Sequence, residues 1–156
     1  MLKLRAKDFD VMKEHAEREF PHECCGVIIG DFSDNTKTEV RPCANIQNEL
    51  NEKYPDKYTR SANTGYFIDP KDLHKAMMDA SKQNLDIIGF YHSHPNHEPY
   101  WSAEDNRAAM WEGTGEPLYP DASHVVISVY DGKVKGASVF KWNDPEKKFL
   151  QHDVEL

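Results

Sequence analysis

The sequence predicts a mixed α/β fold, with α+β as its near alternative: a central mixed β-sheet flanked by helices. Two observations predict it. Segments with the three-to-four-residue apolar period of a helix alternate with short β-branched runs, and the last two extended runs lie close enough to pair as a hairpin. That hairpin argues against a purely parallel sheet.

Each element follows from local chemistry. Phe9, Met12, Ala16 and Phe20 recur at helical steps among charges between Ala6 and Phe20, so a first amphipathic helix ends before Pro21. The run Cys25-Gly-Val-Ile-Ile-Gly30 is short, β-branched and bounded by turn residues, and a second extended stretch near Thr38 to Ala44 completes an early hairpin. Residues 45–65 are polar and aperiodic and contain Pro55 and Gly65, which predicts a long functional or mobile loop. Asp69 before Pro70 is an N-cap and first-turn proline, and Leu73, Ala76, Met77 and Ala80 carry a second helix to about Asn84. Leu85 to Tyr91 reads as a buried strand that delivers the chain into His92-Ser-His94-Pro95. Beyond the loop 96–101, Ser102-Ala-Glu-Asp105 has the form of a capping box that opens a short helix through Met110. A Gly/Pro-rich connection leads to strands near His124–Tyr130 and Gly136–Trp142. No internal repeat is present.

A chain of 156 residues has the size of one ordinary domain, expected to span residues 1–156. Its hydrophobic share of 38% and charged share of 29% are those of a slightly polar globular protein, and no apolar run approaches the length of a bilayer span. The N-terminus lacks the apolar core and small-residue cleavage site of a secretory signal, so a cytoplasmic location is expected, with no membrane partner. Three cysteines, two of them adjacent, make a poor disulfide framework and contain no C-x-x-C, so Cys24, Cys25 and Cys43 are expected to be reduced core thiols. A net charge of −8, without a basic stripe to offset it, argues against a nucleic-acid partner.

The chemistry concentrates around the two histidines. In an extended segment alternate side chains share a face, which puts His92 and His94 side by side with Cα atoms about 6.5–7 Å apart. Asp105, in the first turn of the next helix, can add an oxygen ligand. Three protein ligands with a fourth position open is the pattern of a catalytic zinc site, where the metal makes water acidic near neutral pH. A lone H-x-H is a weak motif; His92 and His94 followed at fixed distance by Ser102 and Asp105 is a strong one.

With those residues in place the sequence resembles the JAMM/MPN+ (Mov34/MPN/PAD-1) metalloprotease family, whose motif is an upstream Glu, then H-x-H, seven residues, Ser, two residues, Asp. The upstream element matches at PHECCGVIIG, with Glu23 in the motif position. The resemblance runs from the first helix to the strands after Ser123. It implies a single domain of cytidine-deaminase-like architecture, zinc (Zn2+) held by His92, His94 and Asp105, Glu23 as general base and acid, and Ser102 as an oxyanion stabiliser. It is strongest to the small bacterial stand-alone members that act on the C-terminus of ubiquitin-like sulfur-carrier proteins. A ubiquitin-like or sulfur-carrier protein is therefore the expected substrate, its extended tail paired with an exposed sheet edge.

Other readings compete. Ser102 reads equally well as a helix N-cap alone or as an oxyanion stabiliser, and the two roles are compatible. His97, Glu98, Tyr100 and Trp101 lie outside the motif and read as loop or substrate-facing residues. A nucleobase deaminase would need H-x-E and then P-C-x-x-C; His15-Ala-Glu17 supplies only the first half. A zincin would need H-E-x-x-H, which is absent. The remaining rivals are a non-catalytic MPN-type interaction module, which the complete ligand set disfavours, and a small-peptide, cell-wall or phage-tail peptidase.

Overall fold

The computed structural model describes residues 2–156. The amphipathic helix α1 (Ala6–Glu19) buries Met12, His15 and Ala16, and at its start the Arg5 amide and guanidinium donate to the Asp8 carboxylate. Arg5 also donates to the carbonyls of Thr36 and Thr38, which ties the start of the helix to the second strand. The strands β1 (Cys25–Asp31) and β2 (Asp34–Cys43) form the early hairpin, and β2 begins four residues before the stretch its apolar residues suggested. Asp31 and Asp34 accept hydrogen bonds from Ser33 and Thr36, so turn chemistry, not hydrophobicity, fixes where pairing starts.

Segment 45–65 departs from the expected structureless loop. It holds a two-turn helix, α2 (Gln47–Lys53), with only Gln47 buried. The helix α3 (Pro70–Lys82) follows, its N-cap Asp69 accepting from the Lys71 amide and Pro70 in its first turn. Then come β3 (Asp86–Pro95), the short helix α4 (Ala103–Ala108), and β4 (Ser123–Tyr130), β5 (Lys133–Asn143) and β6 (Lys148–His152). The last of these had no counterpart in the sequence reading, because charges surround its one buried residue, Phe149.

The six strands lie in the order β2-β1-β3-β4-β5-β6, and the sheet is mixed. Neighbours pair antiparallel except β3 and β4, which run parallel. Parallel neighbours need a long crossover, and residues 96–122, including α4, supply it. The crossover leaves from the C-terminal end of β3, where one flanking strand is antiparallel and the other parallel. Such a change of connection opens a crevice beyond the strand ends.

Alternation along the strands sorts the core into two faces. On one face α1 packs Leu4, Met12 and Ala16 onto Cys24, Ile28, Tyr91, Val125, Ile127 and Val129. On the other, α3 covers Cys25, Val27, Ile29 and Phe90 with Ala76 and Ala80. Further along that second face, Val126, Phe140, Trp142 and Phe149 pack with Ala109. All three cysteines are free and buried in these layers, as the sequence implied. No helix among the described residues is long and apolar enough to cross a membrane.

Gly26 sits opposite Tyr91 in the β1–β3 register, and a Cβ on it would come within 2.2 Å of the Tyr91 ring. Tyr91 cannot yield, because it is fully buried and its hydroxyl is 2.7 Å from His15 Nδ1. Gly26→Ala is therefore expected to destabilise the protein by about 1–3 kcal/mol, the usual cost of overpacking a core. Urea denaturation of the two proteins measures it; an unchanged midpoint would show that this contact is soft.

Candidate metal centre and active site

His92 and His94 occupy alternate positions near the C-terminal end of β3, and the strand continues through both to Pro95 instead of stopping at Tyr91. Parallel pairing of His92 with Val126 and His94 with Ser128 extends it. Both side chains therefore point to the face that also carries Phe90. Asp105 reaches them from the first turn of α4. His92 Nε2 and His94 Nε2 are 3.2 Å apart. The Asp105 carboxylate spans them, with Oδ1 3.1 Å from His92 Nε2 and Oδ2 3.1 Å from His94 Nε2.

Two imidazole nitrogens and a carboxylate that turns one oxygen to each of them thus converge, with contacts of 3.1–3.2 Å. In a tetrahedral zinc shell, ligand atoms about 2.0–2.1 Å from the metal lie about 3.3 Å from one another. The observed separations fit that requirement. All three residues are buried, at 1%, 5% and 4% exposure for His92, His94 and Asp105, so the donors are fixed by packing. Burial alone would raise the Asp105 pKa, but the two imidazoles overcome it and hold the carboxylate well below its usual range. A carboxylate that stays ionised in a buried place is what a cation site needs.

The supporting contacts orient each ligand. His94 Nδ1 donates to the Glu98 carbonyl at 3.1 Å, which leaves the lone pair on Nε2. The loop that supplies this carbonyl is clamped to β4: Asn96 N–H donates to Val129 O, Ser128 Oγ to His97 O and Tyr130 Oη to Glu98 Oε2. His92 is covered by the Tyr66 ring, stacked at 4.5 Å between centroids. Asp105 is held by the helix start. Ser102 Oγ accepts from the Asp105 amide at 3.0 Å, and the Ser102 amide donates back to Asp105 Oδ2 at 3.1 Å. The same oxygen that completes the capping box therefore faces His94. Ser102 is a cap, and its hydroxyl keeps one proton to donate.

Glu23 comes from a different part of the chain, the residue but one before β1, and is only 6% exposed. Its amide donates to Ala62 O at 2.7 Å, and its carbonyl accepts from Asn45 Nδ2 at 2.9 Å. Burial, and then the charge of Asp105, push its pKa up to about 9, with Arg60 acting in the opposite direction. Glu23 is a buried carboxyl with high proton affinity that feels the charge of Asp105.

Two positioning residues escaped the sequence reading. Ser93, between the histidines, accepts from the Cys24 amide at 2.8 Å and fixes the segment that carries Glu23. Asn45 joins four backbone sites, donating to Glu23 O and Gly65 O and accepting from the amides of Gln47 and Phe67. The only available signal was the density of amide residues in 45–51. The other histidines take no part in this cluster. His97 is exposed, and its backbone alone is used, the amide donating to His94 O and the carbonyl accepting from Ser128 Oγ. His124 is packed against Phe90, Trp101 and Phe149, and burial pushes its pKa down to about 3. Trp101 stacks on Phe140 and covers the core, whereas Tyr100 is exposed and meets the edge of His94 at 5.1 Å.

A cleft of about 720 Å³ opens beside α4. Its walls include Tyr58, Tyr66 and Phe67 on one side and Glu104, Arg107 and Trp111 on the other. Segment 45–68 thus forms one wall and the crossover the other.

The Glu23 environment has a consequence for stability. Folded protein keeps the Glu23 proton up to pH about 9, while the unfolded chain releases it near pH 4.3 as an ordinary glutamate does, roughly speaking. Between those values the unfolded state binds fewer protons, so stability falls as pH rises. In chelator-treated protein, Glu23→Gln is expected to be more stable than the parent at pH 8 and to lose that advantage near pH 4. Thermal melts across this range check it; an advantage that does not vary with pH would contradict it.

With this geometry in view, comparison with known proteins is informative. Residues 5–143 match the family described as prokaryotic homologs of the JAB domain. A desampylase from Haloferax volcanii is 32% identical over 101 residues, covering 65% of this chain and 64% of that protein. The chain thus spans somewhat less than two thirds of that relative. A CysO-cysteine peptidase from Mycobacterium tuberculosis is 30% identical over 134 residues, covering 84% of this chain and 75% of that one. The solution structure of a protein from Desulfitobacterium hafniense superposes with a TM-score of 0.68 at 23% identity, covering 99% of this chain and 91% of that chain, which supports the fold. By sequence over most of its length, this chain belongs to the family of prokaryotic JAB-domain proteins.

Proposed function

We propose that this chain is a zinc-dependent peptidase, acting as one domain, that hydrolyses the bond after the C-terminus of a ubiquitin-like or sulfur-carrier protein. The observation that carries the reading is the buried cluster of His92, His94 and Asp105, whose donor atoms meet at 3.1–3.2 Å. Relatives named desampylase and CysO-cysteine peptidase support the choice of substrate.

His92, His94 and Asp105 would hold the zinc. When bound, the metal supplies Lewis-acid polarisation of the scissile carbonyl and makes water acidic near neutral pH. The rest of the work falls to this chain's residues. Glu23 takes a proton from the attacking water, whose oxygen bonds to the carbonyl carbon. Ser102 donates its free hydroxyl proton to the oxygen that gains charge. The C–N bond then breaks, and Glu23 passes its proton to the departing nitrogen, so that one water is consumed and a carboxylic acid and an amine are released. A cation held by His92, His94 and Asp105 would offset the Asp105 charge that raises the Glu23 proton affinity, which suits Glu23 to both proton transfers.

The cleft beside α4 suits an extended peptide. β3 lies inside the sheet, with β2 and β6 at its edges, so pairing with an outer edge does not bring a tail to the histidines. This corrects the expectation of sheet-edge docking. Segment 66–68, held to Asn45 and Ile46 at the cleft wall, lies beside His92, on which Tyr66 stacks. A Gly-Gly terminus would let the substrate backbone approach closely there.

Purified protein is expected to bind one zinc per chain, and His92→Ala, His94→Ala or Asp105→Ala should each lose it. Glu23→Gln should keep the metal and lower turnover by about 10²–10⁴, the usual worth of a general acid-base group. Elemental analysis and single-turnover assays check both; near-native turnover in Glu23→Gln would remove it from the mechanism. A folded carrier conjugate should also be cleaved far more efficiently than its last six residues alone, since the folded body adds binding energy. Equal efficiency would point to a general small-peptide hydrolase.

A further inference from the structure

Tyr66 belongs both to the cleft wall and to the surroundings of the metal ligands. Its ring stacks on His92, with centroids 4.5 Å apart and planes 22° from parallel. It lines the cleft beside α4 and is half-buried. The charge of Asp105 is felt at its hydroxyl before that of any other carboxylate. The backbone holds it there: Gly65 O accepts from Asn45 Nδ2 at 3.2 Å, and the Phe67 amide donates to Asn45 Oδ1 at 3.0 Å. One side chain thus grips the residues on both sides of Tyr66.

The hydroxyl itself is free. Other polar groups of the cleft are engaged with protein: Gln47 Nε2 donates to Arg60 O, Asn106 Oδ1 accepts from Trp101 Nε1, and Glu104 pairs with Arg107. Among the described residues none bonds to Tyr66 Oη, yet Thr38 Oγ1 is the only fully buried side-chain polar atom left without a partner. Tyr66 Oη is therefore open to the cleft. A phenol keeps its proton at neutral pH, so this is an unused donor beside the metal centre.

An extended tail brings one carbonyl per residue into the cleft, and each that leaves water needs a donor. In the mechanism above the scissile carbonyl has Ser102 and the metal. The next carbonyl upstream has neither, and the lining around it includes apolar groups such as Ile68, Leu73 and Phe90. We propose that Tyr66 is a substrate-binding residue whose hydroxyl donates to the carbonyl one residue before the scissile one. The inference rests on the peptidase reading above. Ring and hydroxyl then act separately: the ring covers His92, and the hydroxyl sets how far the tail advances toward the metal, which decides whether the reacting atoms meet.

The test uses full-length, zinc-loaded protein and two conjugates of a ubiquitin-like protein ending in Gly-Gly. One is native; in the other a trans-alkene replaces the amide between the two glycines, which removes the acceptor and keeps the shape. The wild type should cleave the native conjugate about tenfold more efficiently in kcat/KM, the usual worth of a hydrogen bond whose partner would otherwise be stranded. Tyr66→Phe keeps the stacked ring and loses only the hydroxyl. It should lose a similar factor on the native conjugate and almost nothing further on the alkene. Calorimetry with the Glu23→Gln protein should show tighter binding of the native conjugate, and the double variant with Tyr66→Phe should lose that difference. Zinc content and melting temperature report whether Tyr66→Phe keeps its metal and fold; if it does not, the wild-type comparison of the two conjugates decides. A wild type indifferent to the alkene, or an alkene penalty of equal size in Tyr66→Phe, overturns the proposal and leaves the peptidase reading intact. A wild type that cleaves neither conjugate overturns both.

Discussion

The constraint on which this site depends is the register of β1 against β3. Cys25 pairs with His92 and Gly26 with Tyr91, and the Ser93 hydroxyl and amide bracket the backbone of Cys24. A slip of one residue would turn His92 and His94 to the α1 face and bury them in hydrocarbon, while Tyr91 would turn outward. The close fit of the Tyr91 ring over Gly26 makes that slip costly. Packing on the face away from the chemistry thus decides which side chains reach it. Glu23 takes its place because it lies just before the strand whose register has been fixed.

The second constraint is the reuse of a helix start. An N-cap needs a side-chain oxygen to satisfy amides that the first turn leaves free, and its third residue can return the favour. Ser102 and Asp105 do this, and the returning oxygen, Oδ2, is also the one facing His94. Holding the carboxylate against two imidazoles therefore needs no separate device. This is why Ser102 as a cap and Ser102 as a chemical group are compatible readings: the hydroxyl accepts in one role and donates in the other.

Most of the sheet and the convergence of His92, His94 and Asp105 were legible in the sequence, for a physical reason. β-Branched runs and amphipathic periods mark elements that fold by burying apolar surface, and His92, His94 and Asp105 form a motif because strand alternation and helix capping fix their directions locally. What stayed hidden was organised by other forces. The helix α2 and the segment after it are held by amides: Asn45, Gln47, Asn48 and Asn51 donate to or accept from the backbone between Glu23 and Phe67. Side chains that satisfy backbone at a distance leave no periodic trace, so a polar, aperiodic stretch looked like a loop. β6 was hidden for the converse reason, since one buried Phe149 on an edge strand makes no pattern. Extension of β3 through His94 came from pairing with β4, a contact between residues more than thirty positions apart.

The amide-held segment also explains how one wall of the cleft can differ in chemistry from the sheet without weakening it. An apolar wall would have to share the core, and a change there would propagate through β1 to the histidines. Here the wall is joined to the site at few points: Asn45 and Ala62 on the Glu23 backbone, and Tyr66 stacked on His92. Side chains such as Tyr58 and Tyr66 can line the cleft from a backbone that the amides already hold. The placing of His92 and His94 is therefore set by the sheet, while the cleft wall is a polar scaffold laid over it, and substitutions in the second can change the wall with little disturbance to the first.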